Sequence, residues 1–265
     1  MIDFSAIGGV ISDMDGVLWR GDEALPGLAR FVDFLAERGT GLVLATNNSS
    51  KSAEEYVAKL NRLGVTGIAP GQIVTSRIAT QDHLHRNYAP GTPFYAIGSP
   101  GLVRSIEEAG FAFDPAAARF VVVGIDTSFT YEKLTIAADL IRAGADFIGT
   151  NGDLVIPHGA GFAPGNGSIL AAIAAASGRQ PITIGKPGRP MFEAARAVLG
   201  TPAAATLMIG DRLDTDIAGA SAAGLRSGLM LTGVATMEHL EQWEGALPDG
   251  VFRDLPHLVA AWTGA

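Results

Sequence analysis

Carboxylate and small polar side chains recur at three places in the chain, each directly after a short apolar segment. Segment 6–12 is followed by Asp13 and Asp15, segment 41–45 by Thr46 and Asn47, and segment 205–209 by Gly210 and Asp211. Because Asp13 and Asp15 are two residues apart, both carboxylates project to the same side of an extended chain. Such carboxylates can donate and accept protons and bind hard cations.

The apolar segments have the length of strands, and helical patterns lie between them. Residues 27–38 place Phe31, Phe34 and Leu35 on one helical face, and Ser52 with Glu55 has capping-box spacing at the start of a second helix. Strands that alternate with helices are typical of a parallel α/β fold. Because the carboxyl ends of parallel strands lie at one edge of the sheet, we expect the polar residues to meet there.

Each polar group also has a purely structural interpretation. Asp13-Met14-Asp15-Gly16 has the composition of a turn, and residues 46–50 have that of a helix cap. Lys186 is compatible with a solvated loop, and the aspartates in residues 211–216 with favourable charges at a helix start. The order of the groups and their common position after strands favour a shared functional site.

The composition is that of a folded globular chain and excludes several classes of function. Of the 265 residues, 48% are apolar and 17% charged, which supports a buried core. The formal net charge of −8 argues against a broad surface for nucleic acid or anionic membrane. The absence of cysteine excludes disulfides, thiolate metal sites and thiol nucleophiles. Neither a signal-peptide pattern nor a membrane-length apolar stretch is present, so we expect a soluble cytoplasmic protein.

The middle of the chain has an α/β rhythm of its own. Residues 93–98 and 120–125 are strand-like, and residues 134–143 and 167–177 have helical patterns. Residues 157–167 form a glycine- and proline-rich connection. We therefore predict an inserted domain at residues 80–181 and a core formed by residues 1–79 and 182–265. Late in the core we predict a helix at 215–223, followed by the last central strand at 229–231.

Four motifs, in this order, resemble those of the haloacid dehalogenase (HAD) superfamily, specifically its subfamily IIA of NagD-like and p-nitrophenyl phosphatases. They are Asp13-Met14-Asp15-Gly16-Val17-Leu18, Thr46-Asn47-Asn48-Ser49-Ser50, Gly185-Lys186-Pro187 and Gly210-Asp211-Arg212-Leu213-Asp214-Thr215-Asp216. Residues 120–126, 131–134 and 150–153 are similar to the large cap of the family. The resemblance covers nearly the whole chain and implies a Rossmann-like core with a parallel sheet and an inserted α/β cap domain of the C2 type.

The resemblance also implies a catalytic role for several motif residues. Asp13 is the expected nucleophile, which forms an aspartyl phosphate, and Asp15 the expected general acid and base. Thr46 and Asn47 are expected to donate hydrogen bonds to the phosphate. Lys186 is expected to neutralise charge on Asp13 and on the transferring group.

A second implication is a Mg²⁺ site. Several carboxylates in one place would repel an anionic phosphate, and a divalent cation that bridges them to phosphate oxygens removes this conflict. By resemblance, the ligands are Asp13, the backbone carbonyl of Asp15, and Asp211. Asp216 is expected in or next to the metal shell.

The implied activity is Mg²⁺-dependent hydrolysis of phosphate monoesters of small metabolites, such as sugar phosphates, phosphoglycolate, nucleoside monophosphates or aryl phosphates. The cap is expected to close over the phosphate and to select the leaving group. The expected partner is a small phosphorylated metabolite, not a nucleic acid or a membrane. Caps of this type form dimer contacts in the family, so a homodimer is left open.

Three other functions are weighed against a phosphatase. A phosphotransferase or mutase would pass the same aspartyl phosphate to a sugar hydroxyl, and the sequence does not distinguish this acceptor from water. A regulatory protein that binds a phosphometabolite without turnover is disfavoured, because every motif aspartate is present. A dehalogenase needs neither Mg²⁺ nor a general acid, so Asp15 and Asp211 disfavour it.

Three further features have predicted structural roles. Residues 164–168 are glycine-rich but lack P-loop spacing, and we predict a turn that leads into a helix. The five histidines lack His-x-x-x-His spacing, which favours surface or structural roles. Trp19 is predicted either to line the mouth of the active site or to pack in the core.

Overall fold

The computed structural model describes residues 2–48, 51–158 and 161–264, and contacts divide the chain into two compact units. The first unit consists of Met1–Thr75 and Met191–Ala265, and the second, Ser76–Pro190, is inserted into it. The inserted domain predicted at residues 80–181 lies inside the second unit, which also includes residues 76–79 and 182–190. The division into a catalytic core and a substrate-selecting cap stays a prediction.

Strands and helices alternate along both units. The strands are β1 (Gly9–Ser12), β2 (Trp19–Arg20), β3 (Glu23–Ala24), β4 (Gly41–Thr46), β5 (Ile73–Thr75), β6 (Pro93–Ile97), β7 (Ala112–Phe113), β8 (Phe120–Val123), β9 (Asp146–Gly149), β10 (Val155–His158), β11 (Gly161–Pro164), β12 (Ile182–Thr183), β13 (Thr206–Gly210), β14 (Arg226–Met230) and β15 (Gly250–Phe252). The α-helices are α1 (Leu28–Glu37), α2 (Ala53–Arg62), α3 (Ser76–Asn87), α4 (Pro100–Glu108), α5 (Tyr131–Arg142), α6 (Asn166–Ser177), α7 (Arg189–Leu199), α8 (Ala218–Ala222), α9 (Met237–Glu241) and α10 (Leu255–Thr263). A π-helical turn, Leu213–Ile217, precedes α8.

The first unit contains a six-stranded sheet in the order β15-β14-β13-β1-β4-β5, and all its neighbouring strands are parallel. β1 is central, and all four of its residues are buried, as expected where both faces of a parallel sheet are covered. Ser12 is aligned with Ile209 of β13 and with Leu44 of β4. The residues that follow these strands therefore emerge at one edge of the sheet, and the predicted parallel α/β fold is confirmed.

The first two helices form for the reasons that the sequence indicates. In α1 the predicted apolar face is buried through Phe31, Phe34 and Leu35. In α2 the predicted capping box is present: the Glu55 amide donates to the Ser52 hydroxyl (3.3 Å), and the Ser52 amide donates to the Glu55 carboxylate (2.7 Å). α1 thus lies within its predicted range of 27–38, and α2 begins at its predicted cap.

The second unit is built around a five-stranded parallel sheet in the order β12-β9-β8-β6-β7. Val121, Val123 and Ile173 belong to a buried cluster to which α5 and α6 also contribute. The strands and helices predicted in this region are confirmed. The connection predicted at residues 157–167 is wrong in part, because it overlaps the antiparallel hairpin of β10 and β11. Its glycines and prolines conceal the strand pattern.

The last part of the first unit differs from the sequence prediction in detail. The strand predicted at residues 229–231 is β14, which lies between β13 and β15 in the sheet. β15 follows at the edge, and three residues are too few to show the alternation of a strand. The Asp249 carboxylate connects to β14 by accepting hydrogen bonds from the Ser227 amide (2.9 Å) and the Arg226 guanidinium (3.2 Å).

Within the described ranges, every helix is too short or too polar to cross a lipid bilayer.

Candidate active site

The edge of the first unit's sheet brings Asp13 next to the motif around Asp211. The Asp13 amide donates a hydrogen bond to the carbonyl of Ile209 (2.9 Å), which continues the β1–β13 ladder one residue beyond Ser12. Asp211 follows Gly210, the last residue of β13. Two aspartates that are far apart in the sequence are therefore neighbours because their strands are paired.

Three carboxylates converge at this edge. Asp13, Asp211 and Asp216 each contribute an oxygen, and these atoms lie within 4.8 Å of one another. Asp211 and Asp216 are 3% and 1% exposed, whereas Asp13 is partly exposed. Negative charges this close and this buried repel one another strongly unless a cation compensates them. Since all the donors are oxygens, the cluster fits a hard cation such as Mg²⁺ or Ca²⁺.

Asp211 is held by the loop that follows β14. Its Oδ2 accepts a hydrogen bond from the Val234 amide (2.8 Å), and its carbonyl accepts one from the Ala235 amide (2.9 Å). A Cβ on Gly233 would lie 1.8 Å from Asp211 Oδ2, so the carboxylate occupies the space that a larger residue would need. This loop belongs to none of the four sequence motifs, although Thr232 and Gly233 follow an apolar strand as the motif residues do.

Asp216 reaches the cluster through the π-helical turn Leu213–Ile217. Its Oδ2 accepts a hydrogen bond from the Arg212 amide (3.1 Å). A Cβ on Gly210 would lie 2.3 Å from the Asp216 Cβ, so the close approach requires glycine at the end of β13. The helix predicted at residues 215–223 therefore begins earlier, with a wider turn of the kind often found at functional sites.

Asp214 lies in the same turn but has different partners. Its carboxylate accepts two hydrogen bonds from the Arg212 side chain, at 3.0 Å and 2.7 Å. These hydrogen bonds hold the pKa of Asp214 below its ordinary value. The structural interpretation of a charge at a helix start thus applies to Asp214, whereas Asp216 joins the carboxylate cluster.

Asp15 is exposed, and its carboxylate is not one of the three that form the cluster. Its Oδ1 accepts a hydrogen bond from the indole N–H of Trp19 (2.8 Å). Gly16 lies in the turn between Asp15 and Trp19 and has a φ of 86°. A Cβ on Gly16 would lie 2.3 Å from Asp211 Oδ2. Glycine is required at this position both for the left-handed backbone and for the space that Asp211 takes. The metal bond predicted for the Asp15 carbonyl stays a prediction.

Trp19 and the loop after β14 complete the surroundings of the Asp13–Asp15 turn. Trp19 is fully buried, so the packing alternative describes it better than the mouth of the site. The Thr232 hydroxyl donates to the Gly16 carbonyl (2.6 Å), and the Arg20 guanidinium donates to the Thr232 carbonyl (2.6 Å). The loop after β14 therefore supports both Asp211 and the turn that follows Asp13.

Thr46 and Asn47 lie at the end of β4, at the same sheet edge. The Thr46 hydroxyl is buried and accepts a hydrogen bond from the Asn48 amide (3.1 Å). Ser49 and Ser50, the last residues of this motif, lie outside the described residues. The Tyr56 hydroxyl donates to the Asn48 carbonyl (3.3 Å). Burial, together with the charges of Asp15 and Asp13, raises the pKa of Tyr56 to about 12, so its hydroxyl stays neutral.

Lys186 belongs to the second unit, in a tight turn after β12. The Gly185 amide donates to the Thr150 carbonyl (2.9 Å), and the Gly188 amide donates to the Gly185 carbonyl (2.7 Å). A Cβ on Gly188 would lie 1.9 Å from the Thr183 carbonyl oxygen, so the turn requires glycine there. Lys186 is buried, and its predicted role toward Asp13 stays a prediction.

The glycine-rich segment predicted as a turn, residues 164–168, is the start of α6. The Gly167 amide donates to the Asp153 carbonyl (2.9 Å), and a Cβ on Gly167 would lie 2.3 Å from the Gly152 carbonyl oxygen. The Asn166 side chain donates to the carbonyls of Val123 (3.1 Å) and Asn151 (2.8 Å). The glycines here allow close packing of backbone, which confirms the structural prediction.

Two family models match the chain. Residues 10–112 match a model described as haloacid dehalogenase-like hydrolase, and residues 183–258 match one described as HAD-hydrolase-like. The first match contains Asp13, Asp15, Thr46 and Asn47, and the second contains the aspartate motif that follows β13.

Known proteins are similar to the chain over almost its whole length. The 5'-nucleotidase YutF of Bacillus subtilis (strain 168) is 40% identical over 232 residues, which cover 88% of this chain and 90% of that protein. The structure of 4-nitrophenylphosphatase from Thermotoga maritima has a TM-score of 0.87 at 37% identity and covers 98% of both chains. NagD from Escherichia coli K-12 has a TM-score of 0.84 at 33% identity, with 94% of this chain and 97% of its own covered. A glycerol phosphate phosphatase from Mycobacterium tuberculosis, in complex with magnesium, has a TM-score of 0.83 at 32% identity, with 96% and 77% covered.

These similarities confirm the predicted superfamily and its NagD-like branch. The core strands, the inserted α/β unit and the order of the four motifs all agree with that assignment. The chain therefore belongs to the haloacid dehalogenase-like hydrolases, in the NagD-like branch, and it is a phosphoric monoester hydrolase.

Proposed function

We propose that the chain hydrolyses phosphate monoesters of small metabolites with Mg²⁺ as cofactor and Asp13 as covalent nucleophile. The observation that carries this proposal is the difference in exposure within the carboxylate cluster. Asp211 and Asp216 are buried, whereas Asp13 is partly exposed and so accessible to a substrate. Asp211 and Asp216 would then serve the cation only, whereas Asp13 would serve both the cation and the substrate.

Asp13 and Asp15 divide the chemistry between them. An Asp13 carboxylate oxygen attacks phosphorus, the bond from phosphorus to the leaving oxygen breaks, and the Asp15 carboxyl gives its proton to that oxygen. Water then attacks the phosphorus of the aspartyl phosphate, the bond from phosphorus to the Asp13 oxygen breaks, and Asp15 takes a proton from this water. The products are the alcohol and inorganic phosphate, and both aspartates return to their starting states.

The cluster fits a magnesium ion by donor type and charge. Asp13 and Asp211 would hold the ion with their carboxylates and Asp15 with its backbone carbonyl, and Asp216 would lie in or next to the metal shell. When bound, Mg²⁺ supplies positive charge that offsets the repulsion between these carboxylates and the phosphate. The solved magnesium complex of the similar glycerol phosphate phosphatase supports this choice of metal.

Thr46, Asn47 and Lys186 are proposed to stabilise charge on the phosphate. Thr46 is the last residue of β4 and Asn47 follows it; because β4 lies beside β1 in the sheet, both are at the same edge as Asp13. Removal of one such electrostatic contact typically costs about 10²–10³ in turnover. Loss of Asp13 is expected to cost more, because no other group offers the covalent route.

The names of the similar proteins support the proposed substrate class. Their names include a nucleotidase, a nitrophenylphosphatase and a glycerol phosphate phosphatase, all of which act on small phosphate esters. We therefore propose a small phosphorylated metabolite as the partner, rather than a nucleic acid or a membrane. A cytoplasmic location is part of the same proposal.

Phosphate release from p-nitrophenyl phosphate and a panel of metabolite phosphates tests this function. We expect release with Mg²⁺, none with EDTA, and none from Asp13→Asn. Asp214→Asn is the matched control, because it removes an aspartate charge from the same edge but outside the cluster. The proposal fails if the folded wild type releases phosphate from no ester, or if Asp13→Asn is as active as Asp214→Asn.

A further inference from the structure

The carboxyl group of Asp15 is held by one hydrogen bond from a rigid, buried donor. The Trp19 indole N–H lies 2.8 Å from Asp15 Oδ1, and Trp19 is fully buried although Asp15 is exposed. In the part of the chain that the structure describes, no other hydrogen bond reaches the Asp15 carboxyl group. Without this contact, an exposed aspartate would rotate freely about its side-chain bonds.

Trp19 is itself held by two side chains of α2 that contact its indole ring. Lys59 Nζ lies 4.4 Å from the centre of the ring, and the Tyr56 ring stacks on it at 6.4 Å. Lys59 is buried, and its Nζ donates to the Gly21 carbonyl (2.7 Å) and lies 4.0 Å from Asp22. The indole therefore has little freedom to move, and the direction of its N–H bond is set by the core.

The position of a cation on the ring face also affects the indole as a donor. A positive charge over the ring attracts its π electrons, which makes the N–H more polar and strengthens the hydrogen bond that it donates. Burial lowers the pKa of Lys59, and the negative charge of Asp15 opposes this effect. Lys59 and Asp15 thus attract each other electrostatically, and both contact the indole of Trp19.

A general acid needs its two oxygens in different roles. One oxygen of a protonated carboxyl group accepts hydrogen bonds, and the other carries the proton that is given away. Trp19 can only donate, so the oxygen that it contacts, Oδ1, is the accepting one. The proton of the acid form then belongs on Oδ2, which is left for the leaving group.

We propose that Trp19 is a positioning residue that fixes the Asp15 carboxyl group and reserves Oδ2 for the proton delivered to the leaving oxygen, with Lys59 as its support. The inference rests on the proposed role of Asp15 as general acid. It adds a determinant of leaving-group preference: Trp19 matters most when the leaving oxygen is strongly basic and needs a proton.

Two substrates of similar shape separate positioning from packing. p-Nitrophenolate leaves as a stable anion and depends little on a proton, whereas phenolate is more basic and depends on it more. Trp19→Phe keeps an aromatic ring and removes the N–H. We expect kcat/KM for phenyl phosphate to fall about tenfold more than kcat/KM for p-nitrophenyl phosphate, a part of the 10²–10⁴ that general acids contribute. Lys59→Met is expected to shift the ratio in the same direction by a smaller factor.

The ratio of the two kcat/KM values does not depend on the amount of folded enzyme, so reduced stability of a variant does not affect it. Trp262→Phe is the matched control, because it also removes the N–H of a buried tryptophan in the same unit, and that N–H has no hydrogen-bond partner among the residues that the structure describes. Its ratio should equal that of the wild type. An unchanged ratio in Trp19→Phe would overturn the inference, even if both rates fall. Inactivity of the wild type on both esters would instead overturn the proposed function.

Discussion

The backbone amide of Val234 donates a hydrogen bond of 2.8 Å to Oδ2 of Asp211. The donor belongs to the loop after β14, and the acceptor follows β13, so two neighbouring strands of the sheet deliver the two groups. The same loop contacts the Asp13–Asp15 turn through the Thr232 hydroxyl and the Gly16 carbonyl. A segment that belongs to none of the four motifs therefore holds Asp211 of the carboxylate cluster and the turn that follows Asp13.

Gly233→Ala should damage the cluster without straining the backbone. The new methyl group would lie 1.8 Å from Asp211 Oδ2, and φ of Gly233 is outside the left-handed region. Asp211 would have to move, and we expect kcat for p-nitrophenyl phosphate to fall by about 10²-fold or more, as for loss of other electrostatic contacts at a reacting phosphate. Gly71→Ala is the control, because a Cβ there meets nothing within 4 Å. Equal activity of the two variants would show that the loop does not position Asp211.

Mg²⁺ should raise the thermal stability of the wild type more than that of Asp211→Asn. A ligand that binds only the folded state at 100 times its Kd contributes about 2.7 kcal/mol, and removal of one carboxylate weakens that binding. In EDTA the Tm of Asp211→Asn should be higher than that of the wild type, since the substitution relieves repulsion among three carboxylates within 4.8 Å. Relief of 1 kcal/mol corresponds to about 2–4 °C in Tm.

Differential scanning fluorimetry with Mg²⁺ and with EDTA measures both effects. Asp214→Asn, whose carboxylate lies outside the cluster, should respond to Mg²⁺ like the wild type. A magnesium-dependent rise in Tm that is as large in Asp211→Asn as in the wild type would remove Asp211 from the proposed ligands.

Asp126 in the second unit should contribute stability that disappears in acid. Its carboxylate is buried and accepts hydrogen bonds from Lys133 Nζ (2.7 Å) and from the Ser128 amide (2.9 Å). Burial raises the pKa of Asp126, but these hydrogen bonds outweigh it, so the pKa lies below the ordinary 3.8. The stabilisation is therefore present above pH 3.8 and is lost as the pH falls through the lower pKa of the folded state.

Asp126→Asn tests this dependence. Near neutral pH we expect a loss of about 1.5–3 kcal/mol in the free energy of unfolding, because the hydrogen bonds to a charged group are weakened. The difference from the wild type should shrink in acid, as measured by urea unfolding at several pH values. Asp139→Asn, in an exposed pair with Arg142, should change stability by less than about 1 kcal/mol. A difference that is constant with pH would contradict the assigned cause.

Much of the fold was predictable because local and global signals agree. The apolar runs of β1, β4 and β13 and the buried face of α1 follow from periodicity, and the capping box of α2 follows from two residues. The position of Asp13, Thr46 and Asp211 at one edge of the sheet follows from one rule, that parallel strands end at one edge. The position of residues at or directly after the ends of these strands could therefore be predicted without knowledge of any contact between them.

The parts that were not predicted depend on contacts between distant segments. The hydrogen bond from Trp19 to Asp15 depends on a turn whose geometry Gly16 permits, and the bond from Val234 to Asp211 on the pairing of β13 with β14. The π-helical turn that separates Asp216 from Asp214 has no pattern in the residue types alone. The hairpin of β10 and β11 was concealed by its own prolines and glycines.

The central claim is that Asp13 carries the phosphoryl group, and trapping that group tests it most directly. The wild type would be mixed with p-nitrophenyl phosphate and Mg²⁺, quenched in acid within the first turnover, and treated with borohydride, which reduces an acyl phosphate to an alcohol. Our account predicts homoserine at position 13 in the digested protein and none in a sample quenched without substrate. Rapid phosphate release with an unmodified Asp13, or homoserine at another aspartate, would contradict it.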